Sequence, residues 1–235
     1  MTLSVGILGA DLLHLGDQID SLGEAGVELL HVDVMDGVFC PQMTVGPPFV
    51  AALPKGFVAD VHLMVDDPID KLAAYVEAGA GIVTFHVEST RHPHRALQSL
   101  AGSGVTRGVA LNPGTPIASV EPLLDELELL LVLAVNPGWS GQSFIPATAA
   151  RLTAARELIA GREIVLGVDG GVTRENVGYV ASLGADLIVA GSAVFADGDV
   201  RGNARFMLEA AVSANETGSP NTLALAAAKE ERTYG

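Results

Sequence analysis

A chain of 235 residues with 49% apolar and only 17% charged residues can bury a large core, which excludes a disordered protein and fits one α/β barrel domain. Thirteen Lys and Arg against 28 Asp and Glu give a formal charge of −15, and the longest basic cluster (Arg91, His92, Pro93, His94, Arg95) is short, so no nucleic-acid partner is expected. The single cysteine, Cys40, excludes a disulfide framework and fits a reducing compartment; Asp11, Asp17 and Asp20 break any leader-peptide pattern, and no apolar run reaches the ~20 residues of a membrane span, so the expectation is a cytoplasmic protein with no membrane partner.

Taken in chain order, short apolar runs predict strands over 3–8, 28–34, 58–64, 82–87, 105–111, 129–135, 164–168 and 186–190. They are nearly continuous apolar runs, as parallel strands covered on both faces require. Amphipathic stretches predict helices over 15–25, 68–78, 92–101, 146–160, 174–183 and 202–214. Gly26, Gly79 and Gly184 stand just past three of these helices, where a glycine cap belongs. Eight strands with regular crossovers point to a (β/α)8 TIM barrel over 1–214. The turn after the first strand lacks the GxGxxG fingerprint of a doubly wound sheet. Residues 215–235 open on a polar linker, include an Ala-rich stretch at 223–232 able to form a short helix, and are expected to be a peripheral or mobile tail.

In such a barrel the chemistry lies at the C-terminal strand ends. Strand two places His31, Asp33 and Met35 on one face, and strand three places Asp60, His62 and Met64 on one face. Strand seven ends in Asp169. Two imidazoles and two carboxylates form a mixed N/O set that suits one divalent ion such as Zn, Fe, Mn or Co. A strand histidine can equally be a hydrogen-bonded core residue, and the methionines line the interior in either reading. His86 and Glu88, at the end of strand four, point toward the barrel mouth and are expected to have a structural or supporting role.

Three glycine-rich turns follow strands six, seven and eight. They carry Gly138, Trp139, Ser140, Gly141 and Gln142, then Gly170 and Gly171, then Gly191 and Ser192. Glycines let backbone N–H groups converge on an anion, and the loops after strands seven and eight are a common phosphate site in these barrels. Tight turns alone would also use glycine.

These residues resemble the ribulose-phosphate 3-epimerase family over roughly residues 3–212. The matching motifs include His-Val-Asp-Val-Met-Asp-Gly (31–37), Asp-Val-His-Leu-Met (60–64), Phe-His-Val-Glu (85–88), Leu-Asn-Pro-Gly-Thr-Pro (111–116), Val-Asp-Gly-Gly (168–171) and Ala-Gly-Ser-Ala-Val-Phe (190–195), all in family order. The resemblance implies one divalent metal held by His31, Asp33, His62 and Asp169. It implies Asp33 and Asp169 as the acid/base pair that inverts C3 of a ketose phosphate through an enediolate. It also implies a sugar-phosphate partner, a phosphate site on the glycine loops, and a homo-oligomer. D-ribulose 5-phosphate and D-xylulose 5-phosphate are the leading pair, with D-allulose 6-phosphate, a tetrulose phosphate or a non-catalytic sugar-phosphate-binding barrel as alternatives. Around Met35 and Met64 the substrate pocket departs from the family pattern: Gly6 stands where the family has a serine, and Leu133 where it has a third methionine.

Overall fold

In the computed structural model, which describes residues 1–214, eight parallel strands close into a barrel in simple chain order. They are β1 (Thr2–Gly6), β2 (Leu29–Met35), β3 (Val58–Met64), β4 (Ile82–His86), β5 (Thr106–Leu111), β6 (Leu129–Leu133), β7 (Val165–Asp169) and β8 (Leu187–Ala190). The helices are α1 (Leu15–Ala25), α2 (Pro47–Ala51), α3 (Leu72–Glu77), α4 (Pro93–Ser99), α5 (Thr148–Leu158), α6 (Val177–Ser182), α7 (Ser192–Phe195) and α8 (Val200–Ala214). Among the described residues no helix is long and apolar enough to cross a membrane. The readings of 215–235 lie outside the described residues.

The strands carry two cores because their side chains alternate. Val5, Leu30, Val32, Val61, Leu63, Val83, Phe85, Val109, Leu130, Val132 and Leu166 join the large cluster under the helices. The other face fills the barrel. Leu29, Ile82, Leu129, Val165 and Leu187 form a dry floor. Above it the interior turns polar on β2, β3 and β4 but stays apolar on β5, β6 and β8, where Ala110, Leu131, Leu133 and Val189 cluster. The site therefore has a polar wall on β2, β3 and β4, and the opposite, mostly apolar side contributes Asp169 at the end of β7.

The glycine stops have the expected physical basis. Gly26 and Gly79 adopt φ of 91° and 93°, which a side chain would oppose. The next N–H groups, of Val27 and Ala80, reach back to Leu22 O and Tyr75 O at 3.0 Å each and complete Schellman caps. Gly184 is also left-handed, at 84°.

Several boundaries differ from the sequence pattern. The first strand ends at Gly6, because a 3₁₀ turn over Ile7–Gly9 tucks Ile7 into the outer core. The expected helix over 68–78 divides into a 3₁₀ turn, Ile69–Lys71, and α3. The expected helix over 174–183 begins only at Val177, since Asn176 uses its side chain to bind Thr173 N–H and leads the chain in. Between β5 and β6 the crossover is a 3₁₀ helix, Ile117–Leu123, with Pro122 inside it. Proline has no N–H to donate and clashes with the preceding turn, which disfavours an α-helix there.

Candidate active site

The parallel register of β2 and β3 assembles the polar wall. His31 pairs with Asp60, Asp33 with His62, and Met35 with Met64. On the far side Leu133 of β6 pairs with Asp169 of β7, which in turn pairs with Val189 of β8. The paired strands β2 and β3, with β7 beyond β8 and β1, thus bring His31, Asp33, His62 and Asp169 together, with one ligand atom from each lying within 4.8 Å of all the others.

His31 is buried, and its two ring nitrogens have different tasks. Nδ1 lies 2.7 Å from Asp60 Oδ2, which also accepts the Ser4 hydroxyl at 2.7 Å. Nε2 points into the cluster, 3.3 Å from Asp33 Oδ1 and 4.0 Å from Asp169 Oδ2, yet makes no hydrogen bond. A buried nitrogen left without a partner costs stability unless something satisfies it. His62 turns its ring the other way. Its Nδ1 faces Asp33 Oδ1 at 3.2 Å and Asp169 Oδ2 at 3.6 Å, and its Nε2 meets His86 Nε2 at 2.9 Å. Two nitrogens and two carboxylate oxygens converging beside an orphaned buried nitrogen fit a divalent cation.

The two aspartates differ sharply in proton affinity. Burial pushes the Asp33 carboxyl up, but the charge of His31, with the charge and hydrogen bond of His62, outweighs it, so Asp33 sits well below the usual carboxylate range. Burial raises Asp169 to about 6, the attraction of His31 opposing this and the repulsion of Asp33 reinforcing it. His31 is raised well above the usual histidine value: burial opposes its charge, and Asp60 and Asp33 more than compensate.

Above the cluster opens a cavity of about 570 Å³. Asp33 and Asp169 line it, whereas the two histidines do not, so the carboxylates face the cavity with the imidazoles behind them. Met35, Met64, Leu133 and Gly6 complete the sides near the carboxylates. The rim carries Trp139, Ser140, Gly141, Gln142, Gly170, Gly171, Gly191 and Ser192, together with Gly138.

The rim turns require glycine for steric reasons as well as torsional ones. Gly170 and Gly171 have φ of 107° and 67°. A Cβ on Gly171 would lie 2.4 Å from Phe144 N, and one on Gly170 2.3 Å from a Val135 methyl. The Gln142 side chain is occupied within its own loop: its amide donates to the Asn136 and Trp139 carbonyls at 2.6 and 3.0 Å and accepts Asn136 N–H at 3.1 Å. It braces the loop. Asn176 braces the next loop through the Gly171 carbonyl at 2.8 Å.

Four contributors escaped the sequence reading. Asp60 was visible only as an alternating residue, and its bond to His31 depends on pairing across two strands. Ser4 had no motif signal. Thr44 accepts Met35 N–H at 2.9 Å and donates to Asp33 O at 2.6 Å, pinning the end of β2. Asp36 accepts N–H groups of Val38, Phe39 and Asp66 at 2.8–2.9 Å, tying the loops after β2 and β3 together.

Residues 2–195 match the ribulose-phosphate 3 epimerase family. A ribulose-phosphate 3-epimerase of Rhodobacter capsulatus is 44% identical over 197 residues, covering 83% of this chain and 86% of that protein. The corresponding Escherichia coli K12 protein is 42% identical over 201 residues, covering 83% and 89%. The chain belongs to the ribulose-phosphate 3-epimerase family. Among solved structures, a 3-hexulose-6-phosphate synthase from Salmonella typhimurium superposes with a TM-score of 0.68 at 18% identity, covering 91% of this chain and all of that one. A phosphoribosyl anthranilate isomerase from Thermus thermophilus superposes with a TM-score of 0.59 at 19% identity, covering 91% and 100%. These two share the barrel fold with the epimerase family.

Proposed function

We propose that the chain is a metal-dependent ribulose-phosphate 3-epimerase that interconverts D-ribulose 5-phosphate and D-xylulose 5-phosphate. The observation that carries this reading is that Asp33 and Asp169 line the cavity while belonging to one tight His/Asp cluster. Epimerisation needs one group to remove the C3 proton and another to deliver a proton to the opposite face. Two carboxylates lining one cavity suit that division. One takes the C3 proton while the other supplies a proton, and the roles exchange in the reverse direction.

His31, Asp33, His62 and Asp169 would hold one divalent ion, with Zn, Fe, Mn and Co all compatible with the donor set. The bound ion supplies Lewis-acid stabilisation of the negative charge that develops on the substrate oxygens. Met35, Met64 and Leu133 keep that side of the cavity apolar, which strengthens electrostatic interactions within it. The phosphate rests on backbone N–H groups of the loops through Gly138–142, Gly170, Gly171, Gly191 and Ser192. This is how a chain of charge −15 accommodates an anionic substrate: the attraction comes from backbone dipoles and a metal rather than from lysine or arginine.

The test is turnover of purified, metal-loaded protein on a substrate panel. Ribulose 5-phosphate should be converted faster than D-allulose 6-phosphate and tetrulose phosphates. Equal or slower conversion would reassign the sugar, and no conversion of any ketose phosphate would remove the activity.

A further inference from the structure

His86 ends β4, is buried, and does not line the cavity. Its ring lies nearly parallel to that of His62, with centroids 5.0 Å apart and planes at 25°. Phe39 covers it, with ring centroids 4.8 Å apart. His86 Nδ1 lies 3.2 Å from Glu88 Oε2, and Glu88 Oε1 accepts the Asn112 N–H at 2.8 Å.

The proton positions along this chain follow from its ends. Two imidazole nitrogens 2.9 Å apart share one hydrogen, so one donates and the other accepts. At the outer end the ionised Glu88 can only accept, so His86 Nδ1 is the donor. A neutral His86 then presents a bare Nε2. His62 must donate its Nε2–H to it, and a cation held by Asp33 and Asp169 would then take the place of a proton on His62 Nδ1, which faces both carboxylates. We propose that His86 and Glu88 are positioning residues that lock His62 in the tautomer able to bind the metal through Nδ1. The inference rests on the metal-dependent reading above. It also gives the cluster two separate anchors. His31, held by Asp60 and Ser4, would offer Nε2 to the ion; His62, held by His86 and Glu88, would offer Nδ1.

The arrangement makes a specific demand of position 88, where two N–H groups arrive at one side chain. A carboxylate accepts both. A glutamine accepts one and turns its own N–H₂ toward the other. Glu88→Gln should therefore weaken the relay although it preserves shape. At position 86, glutamine keeps an acceptor for His62 Nε2–H and phenylalanine does not.

The test uses the full-length protein loaded with Zn(II). Long-range ¹H–¹⁵N spectra of ring-labelled histidines should show His62 protonated at Nε2 and His86 protonated at Nδ1 only. Competition with a chromophoric chelator should show Zn(II) affinity reduced about 10–100-fold in Glu88→Gln and His86→Phe, as is usual for loss of an outer partner of a metal ligand. His86→Gln should retain more affinity than His86→Phe. A proton on His86 Nε2 in the wild-type spectrum overturns the proposal even if no variant folds. So does wild-type affinity in both Glu88→Gln and His86→Phe. Failure of the wild-type protein to bind Zn(II), Mn(II), Co(II) or Fe(II) removes the metal-dependent reading and this inference together. Wild-type binding and turnover with the opposite tautomer removes this inference alone.

Discussion

Asp33 and His62 are register partners on β2 and β3, and His62 Nδ1 lies 3.2 Å from Asp33 Oδ1. A one-residue slip between these strands would send one partner into the helix-facing core and leave the other without its neighbour. The strand pairing that builds the barrel therefore also builds the cluster. Val61 and Leu63, which flank His62 on the opposite face and are fully buried, help to enforce it.

Metal uptake should release protons, and the number should depend on pH. Metal-free His31 is raised well above the usual histidine value, so it is protonated at neutral pH and must lose that proton to bind. Asp169, raised to about 6, is largely ionised at pH 7.5 but largely protonated at pH 5. Titration calorimetry in buffers of different ionisation enthalpy should show more protons released at pH 5 than at pH 7.5. Affinity should fall as pH drops through 6. A release that is the same at both pH values would contradict these proton assignments.

Asp60→Asn tests the support behind His31. Both His31 Nδ1–H and the Ser4 hydroxyl reach the same Asp60 oxygen, so the amide oxygen can accept both but lacks the negative charge. Metal affinity should fall about 10–100-fold while the fold persists. Chelator competition and circular dichroism together check this; unchanged affinity would show that Asp60 serves only packing.

Gly171→Ala probes the phosphate rim. The left-handed backbone and the approach of Phe144 N to 2.4 Å of an added Cβ leave no room for a methyl group. The loop must shift, at a cost of about 1–3 kcal/mol by denaturant unfolding, typical of overpacking. KM for the sugar phosphate should rise more than kcat falls, because the loop acts in binding. A loss in kcat alone would place this loop in the chemical step.

Gly6→Ser has the opposite expectation. Gly6 has φ of −70° and ψ of 94°, which any residue adopts, and an added Cβ would meet Gly191 Cα at an ordinary 3.4 Å. Serine should be accommodated and should stabilise by about 0.4–1 kcal/mol through the unfolded chain. Its hydroxyl would face the cavity near the sugar, so KM for ribulose 5-phosphate should fall by the few-fold worth of one hydrogen bond, about 0.5–1.5 kcal/mol. An unchanged KM would show that the sugar does not reach this wall.

The barrel was legible in the sequence because parallel strands buried on both faces read as apolar runs, and because Gly26, Gly79 and Gly184 mark helix ends by a torsional requirement. His31, Asp33, His62 and Asp169 were legible because period-two alternation put each at a strand end. Asp60, Ser4 and Thr44 were not, since their roles depend on which strands and loops become neighbours. The shortened α6 reflects the Asn176 side chain accepting Thr173 N–H ahead of the helix, which overrides hydrophobic periodicity there; the 3₁₀ crossover at Ile117–Leu123, with Pro122 inside it, carried no helix expectation. Gln142 lay in the expected phosphate loop, but only the hydrogen bonds show that its side chain is spent on bracing.

The central claim is that Asp33 and Asp169 move the C3 proton. The direct measurement is NMR of ribulose 5-phosphate incubated in deuterium oxide with metal-loaded wild-type protein and with Asp33→Asn and Asp169→Asn. Wild-type protein should form xylulose 5-phosphate carrying deuterium at C3. Each variant should remain folded and lose epimerisation by about 10²–10⁴-fold, the usual contribution of a positioned acid or base. Full epimerisation by either variant would contradict the two-aspartate mechanism.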